Sequence, residues 1–370
     1  MRMPGARLIM VCATWGIFWG SWSALLPAIK DQLGATTADL GLALTGVPVG
    51  AIPAMALVGR LARGRERAAL AASTCAFALS VLTIALAGSP LALGLILLLL
   101  GATSGALDVA LNLATGRAER ETGRRLFQPV HAAFPVAVIV AAPATGLARE
   151  LGVGPGTLLA VVAALVLASG LLALGLPIGR GVPAEERTGG AGGHWRAAIG
   201  LGALAGCVLI IENSVEQWSV LLLEEHRSAS TLLASAAPAA YMGALTVGRL
   251  LAQAFPRVGL RTLYLVGAIG GGGGIALAGL GPSVWLSLAG FALTGLALGP
   301  LVPAMLSHAA AGDSSGTLVS AISTISYTGF VISPLLVAAL SAWLTLPTAL
   351  AALGLLAIPL LGQYLATRSR

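Results

Sequence analysis

Apolar runs about twenty residues long follow one another along this chain, and charge enters only in short bursts between them. At about 1.5 Å per helical residue, such a run crosses about 30 Å of hydrocarbon. A backbone in that medium must satisfy its own polar groups, so each run is predicted to be a helix. Cut wherever charge or Gly/Pro/Ser clusters interrupt, the chain gives twelve spans: 8–29, 40–58, 68–87, 91–114, 130–147, 157–178, 197–223, 231–253, 261–280, 284–305, 317–341 and 346–366. Only 9% of the residues are charged, against about 25% in water-soluble domains, and this excludes a soluble globular chain. The glycines and prolines lie within the apolar runs, where neighbouring helices compensate them, so disorder is excluded too.

A net charge of +7 would suggest nucleic acid as a partner, but the basic residues sit at helix ends. If the spans alternate, one set of loops and both termini hold eighteen of the 21 basic residues, including Arg60, Arg63, Arg65, Arg67, Arg117, Arg120, Arg124 and Arg125. The other side holds Lys30, Arg149 and Arg227. By the positive-inside rule the first side is cytoplasmic, with both termini there and the chain multi-pass in the plasma (cell inner) membrane, in contact with its lipid bilayer. Arg2 and Arg7 precede a run that continues to about Ile29, which reads as an uncleaved first span. Cys12, Cys75 and Cys207 fall in separate runs without ligand spacing, so no disulfide, metal site or cofactor is predicted.

The longest interruption, Gly179 to His194, carries Pro183, Glu185, Glu186 and a Gly-rich stretch, as a linker would. It divides the chain into six-helix halves, 1–178 and 197–370, joined by residues 179–196. Val58-Gly59-Arg60-Leu61 recurs 189 residues later as Val247-Gly248-Arg249-Leu250, and Pro143 corresponds to Pro334 at an offset of 191. Half the chain is 185 residues, so the halves read as parallel duplicates.

Two six-helix halves, a cytoplasmic linker and a Gly-Arg-Leu element after the second helix of each half resemble the major facilitator superfamily. Gly59, Leu61, Gly64, Arg65 and Arg67 match that family's loop motif loosely, while Arg63 and Ala252 stand where it usually has an acidic residue. Gly105 to Asn112, Gln128 to Phe134 and Ser323 to Phe330 resemble the MosC-like branch, with the sugar-permease group more distant. The resemblance implies an all-α integral membrane protein with the major facilitator fold, acting as a transporter.

Charged side chains at membrane depth are rare and usually functional. The seventh span carries Glu212, Asn213, Glu216 and Gln217, with the two glutamates four apart on one face. Glu212 lies about 22 Å along the helix from Ala197, somewhat beyond the midplane, where a carboxyl suits proton coupling. Alternatively, Glu216 and Trp218 mark the outer interface and Glu212 bonds a neighbouring helix. Asp108, Asn112 and His131 gather at the cytoplasmic ends of the fourth and fifth spans as a gate or proton relay, or as a static clasp with Arg124 or Arg125. Arg60 and Arg249 end the second helix of each half, as gate latches or contacts to lipid phosphate. Trp15, Trp19 and Trp22 share one helix face, which lines a pocket or packs against a helix. Tyr241 and Tyr327 are similar cases. Gly270 to Gly274 permit close approach or bending.

An intramembrane metalloprotease needs a His-Glu-x-x-His pair, aspartyl catalysis needs two membrane aspartates, and a P-loop needs its lysine; none is present, so no enzyme is predicted. A channel usually needs a repeated ring or filter, which two halves of one chain do not suggest. Secondary active transport of a small solute is left, driven by a proton gradient, in a monomer. A nutrient, sugar-like symporter and a drug or metabolite efflux antiporter both fit.

Overall fold

A computed structural model describes residues 4–179, 195–255, 257–312 and 317–367. Among them are twelve helices long and apolar enough to cross a membrane. They are α1 Pro4–Gln32, α2 Thr37–Leu61, α3 Glu66–Leu86, α4 Pro90–Thr122, α5 Phe127–Glu150, α6 Pro155–Ala173, α7 Trp195–Arg227, α8 Thr231–Ala254, α9 Leu260–Leu280, α10 Val284–Ala309, α11 Ala321–Ser341 and α12 Leu346–Ala366. The count agrees with the sequence, and the ends differ for local reasons. Helix α4 continues past 114 because Ala118, Glu119, Arg120 and Glu121 are good helix formers, until Gly123 caps it at φ 68°. Helix α6 stops at Ala173, short of 178, because Pro177 disfavours helical geometry in the residue before it. Most of the expected linker, 180–194, lies outside the described residues.

The chain forms two compact units, Met1–Glu185 and Glu186–Arg370. In the first, α1 packs on α5 and α6, α2 on α4, and α3 on α4 and α6. In the second, α7 packs on α11 and α12, α8 on α10, and α9 on α10 and α12. Every pairing recurs six helices later, which makes the two six-helix halves pseudo-symmetric. Small residues permit these approaches in a medium that offers no hydrophobic drive. A Cβ on Gly50 of α2 would overlap the Leu98 carbonyl of α4, so the two backbones touch. Hydroxyl pairs tie equivalent helices together: Thr145 Oγ1 donates to Ser21 Oγ at 2.8 Å, and Ser214 and Ser333 Oγ lie 2.9 Å apart. These pairs stand beside Pro143 and Pro334, the prolines that mark the repeat.

Regular α-helix breaks at a few places. The glycine run of α9 opens with a π-turn over Gly267–Gly271, which fits the expected bend. Helix α10 is interrupted at Gly299 and Pro300, between a segment ending at Leu298 and one starting at Leu301.

Candidate functional site

The polar residues of α7 meet a matching set on α8. Glu212, Asn213 and Glu216 are partly exposed, whereas Gln217 is buried. The Tyr241 hydroxyl of α8 lies beside the Glu212 carboxylate without reaching hydrogen-bond geometry. The tyrosine is fully buried, and its Oη has no other partner. Two turns further along α8, Arg249 lies within electrostatic reach of Glu212, Glu216 and Tyr241. Side chains lean toward the N-terminus of their helix, which carries this guanidinium back toward Tyr241.

Arg249 is anchored by a defect in α10. The Gly299 carbonyl would ordinarily accept from the N–H four residues on, but that residue is Pro303, which has none. Arg249 Nε supplies the missing donor, at 3.0 Å from the Gly299 oxygen. The orphaned carbonyl ties Arg249 to α10 of its own unit while the residue stays exposed. Arg60, its counterpart at the end of α2, is exposed as well. The packing keeps α8 and α10 in contact here, because a Cβ on Gly248 would overlap Leu296 O and one on Gly299 would lie 2.7 Å from Leu245 O.

The first unit holds a second cluster. Asn112 Nδ2 donates to Asp108 Oδ1 at 2.9 Å and to the Asp108 carbonyl at 3.0 Å. His131 lies within electrostatic reach of Asp108, as does the buried Cys12. The His131 ring stacks on Phe127 at 5.7 Å, with Nδ1 3.0 Å from the Phe127 carbonyl. That carbonyl can only accept, so Nδ1 is the donor in this contact. The amides opening α5 are capped by Glu119, which accepts from Leu126 and Phe127 N–H, so the Asp108 cluster does not serve as that cap.

The aromatic residues separate. Trp15 is partly exposed, donates from Nε1 to Ser104 Oγ at 3.0 Å and meets Phe134 edge-on at 5.0 Å. Trp19 is partly exposed against Phe18, while Trp22 is buried and stacked on that phenylalanine at 6.1 Å. Tyr327 is exposed, with its ring tilted against Phe330 at 5.4 Å. Among the described residues no group of three or more His, Cys, Asp or Glu is arranged to hold a metal ion.

No family model matches the chain. It is 29% identical over 328 residues to an uncharacterized MFS-type transporter of Yersinia pestis, covering 86% of this chain and 84% of that one. It is 24% identical over 350 residues to the membrane protein MosC of Rhizobium meliloti, covering 90% of this chain and 83% of MosC. Among solved structures it matches a variant of the nucleoside transporter NupG with a TM-score of 0.82 at 15% identity, over 98% of this chain and 99% of that one. The fold is that of the major facilitator superfamily, and the resemblance to MosC extends over most of the sequence.

Proposed function

We propose that this chain, with the major facilitator fold and relatives named as transporters, is a proton-coupled secondary active transporter of a small solute. Its halves alternate access across the plasma membrane, with both termini cytoplasmic and the monomer as the working unit. One observation carries this: two glutamates, a buried unpartnered tyrosine hydroxyl and one arginine come together on α7 and α8.

Glu212 carries the coupled proton, with Glu216 and Asp108 as further proton sites. When Glu212 is charged, Arg249 is drawn to it; when Glu212 is protonated, the Gly299 carbonyl becomes the stronger anchor of the guanidinium. Proton binding thereby changes the force between α7 and the α8–α10 pair. Asn213, Gln217, Trp15, Trp19, Tyr241 and Tyr327 contact the solute, and Asn112, His131, Arg60 and Arg249 gate its passage. A partly exposed carboxylate pair also suits an organic cation, which favours drug or metabolite efflux as a second reading.

The test starts from a thermal-shift screen of sugars, polyols, amino acids and cationic drugs on purified protein, since a bound solute raises the melting point by mass action. Proteoliposomes then measure uptake of the hit with and without an imposed pH gradient, beside counterflow at equal pH. Glu212→Gln should lose gradient-driven accumulation and keep counterflow. Full accumulation by that variant would place the proton site elsewhere, and the sign of the gradient that drives flux separates symport from antiport.

A further inference from the structure

Three carboxylates stand on the arginine-rich end of the first unit, and each is turned onto main-chain donors. Glu66 is buried and accepts from Gly64 N–H at 2.9 Å. Glu119 caps the start of α5, as described above. Glu121 takes Gly179 N–H at 3.0 Å and Arg117 Nε at 2.5 Å. All three acids are engaged by main-chain N–H groups, and Glu121 by Arg117 as well.

What they leave is a band of positive charge. Arg60, Arg65, Arg67, Arg120, Arg124 and Arg125 are all exposed. Arg120 lies near Glu121 and Arg125 near Glu119, and Arg117 pairs with Glu121. Arg65, Arg67, Arg120, Arg124 and Arg125 belong to one level of the fold. Ser80 and Thr103 Oγ1 are 2.9 Å apart across the antiparallel helices α3 and α4. Equal steps from that pair bring Arg67 level with Gly116 and Arg65 level with Ala118. Arg120 lies half a turn beyond, and Arg124 and Arg125 follow the αL cap at Gly123. The apolar stretch of α4 has already ended near Ala114, so the band sits where the helices leave the hydrocarbon.

The second unit spends its basic residues differently. Arg249 donates to the Gly299 carbonyl and Arg261 stacks over the Tyr364 ring at 4.6 Å, while Arg196, Arg249 and Arg257 are exposed. Among the described residues, the first unit therefore carries the denser set of exposed arginines.

We propose that this band is a docking surface for anionic phospholipid headgroups in the leaflet it faces. Guanidinium groups pair with phosphodiester oxygens in two-point geometry, and unpaired ones at the headgroup level meet that chemistry first. The inference does not rest on the transport reading and stands or falls separately from it.

The experiment reconstitutes the full chain in mixed phosphatidylcholine and phosphatidylglycerol and measures, with spin-labelled lipids, the relative affinity of each for the protein surface. The test variant is R65Q/R67Q/R120Q/R124Q/R125Q, and R257Q is the control. None of these side chains makes an ion pair or hydrogen bond among the described residues, and circular dichroism and melting verify that the fold is kept. The unaltered chain and R257Q should prefer phosphatidylglycerol, and the fivefold variant should lose at least about tenfold of that preference at low salt. Equal preference in the variant, or none in the unaltered chain, overturns the proposal. Excess inorganic phosphate at matched ionic strength should leave the lipid bound; release by phosphate but not by chloride would point to a soluble phosphate ligand and also overturn it.

Discussion

Replacing Gly295 by alanine tests whether the packing of α10 sets the position of Tyr241. A Cβ at 295 would overlap the Tyr241 carbonyl oxygen and lie 3.1 Å from Tyr241 Cδ2 and from Leu245 N. Ordinary contact begins near 3.4 Å, so α8 must move by roughly 1 Å at the residue that carries the hydroxyl. Overpacking of this size costs about 1–3 kcal/mol, because the obstacle is backbone and cannot rotate away. The same displacement shifts Oη relative to Glu212, and a 1 Å error in a positioned group can cost about a hundredfold in rate. Gly243 provides the control on the same helix. A Cβ there meets nothing within 4 Å, so Gly243→Ala should be neutral or gain up to about 1 kcal/mol of helix propensity. The assays are thermal melting in detergent and solute counterflow. If Gly295→Ala melts and transports like the unaltered chain, or if Gly243→Ala is equally damaging, the backbone contact does not set the site.

Tyr241→Phe removes a hydroxyl with no hydrogen-bond partner, so melting should change by less than about 0.5 kcal/mol while counterflow weakens; a large loss of stability would mean the hydroxyl serves the fold. Asp108→Asn and His131→Ala should be non-additive in transport rate, coupled by at least about 0.5 kcal/mol in a double-mutant cycle, since the two groups interact across α4 and α5; simple additivity would leave Asp108 with only its local bond to Asn112. Reporter fusions at Gly190 and Arg370 should both report cytoplasm, and an outside signal from either would reverse the proposed orientation.

The twelve spans were legible because hydropathy and arginine placement vary on the same length scale as a bilayer crossing. Helix ends were less so, since a helix continues past the hydrocarbon as long as Ala, Glu and Arg sustain it, as in α4. Glu212 stood out by rarity alone. Its partners did not, because finding Tyr241 requires the register between α7 and α8, and the bond of Arg249 to Gly299 depends on an absent N–H in a third helix. Pro303 four residues after Gly299 was the available signal. The spacing of Trp15, Trp19 and Trp22 gave a shared face but no account of what covers it, and Trp22 proved to be core.

The backbone-close crossings, Gly50 on Leu98 in one unit and Gly248 on Leu296 in the other, each join helices of a single unit. During synthesis, therefore, the first six helices have all their tightest partners once α6 is made, and they need not wait for α7 to exist. A gene cut within the codons for the Gly-rich stretch should yield two polypeptides that insert independently and recombine in the same cell. Fragments ending between α4 and α5 should fail, because α1 would be released without the neighbour its glycines were shaped to meet.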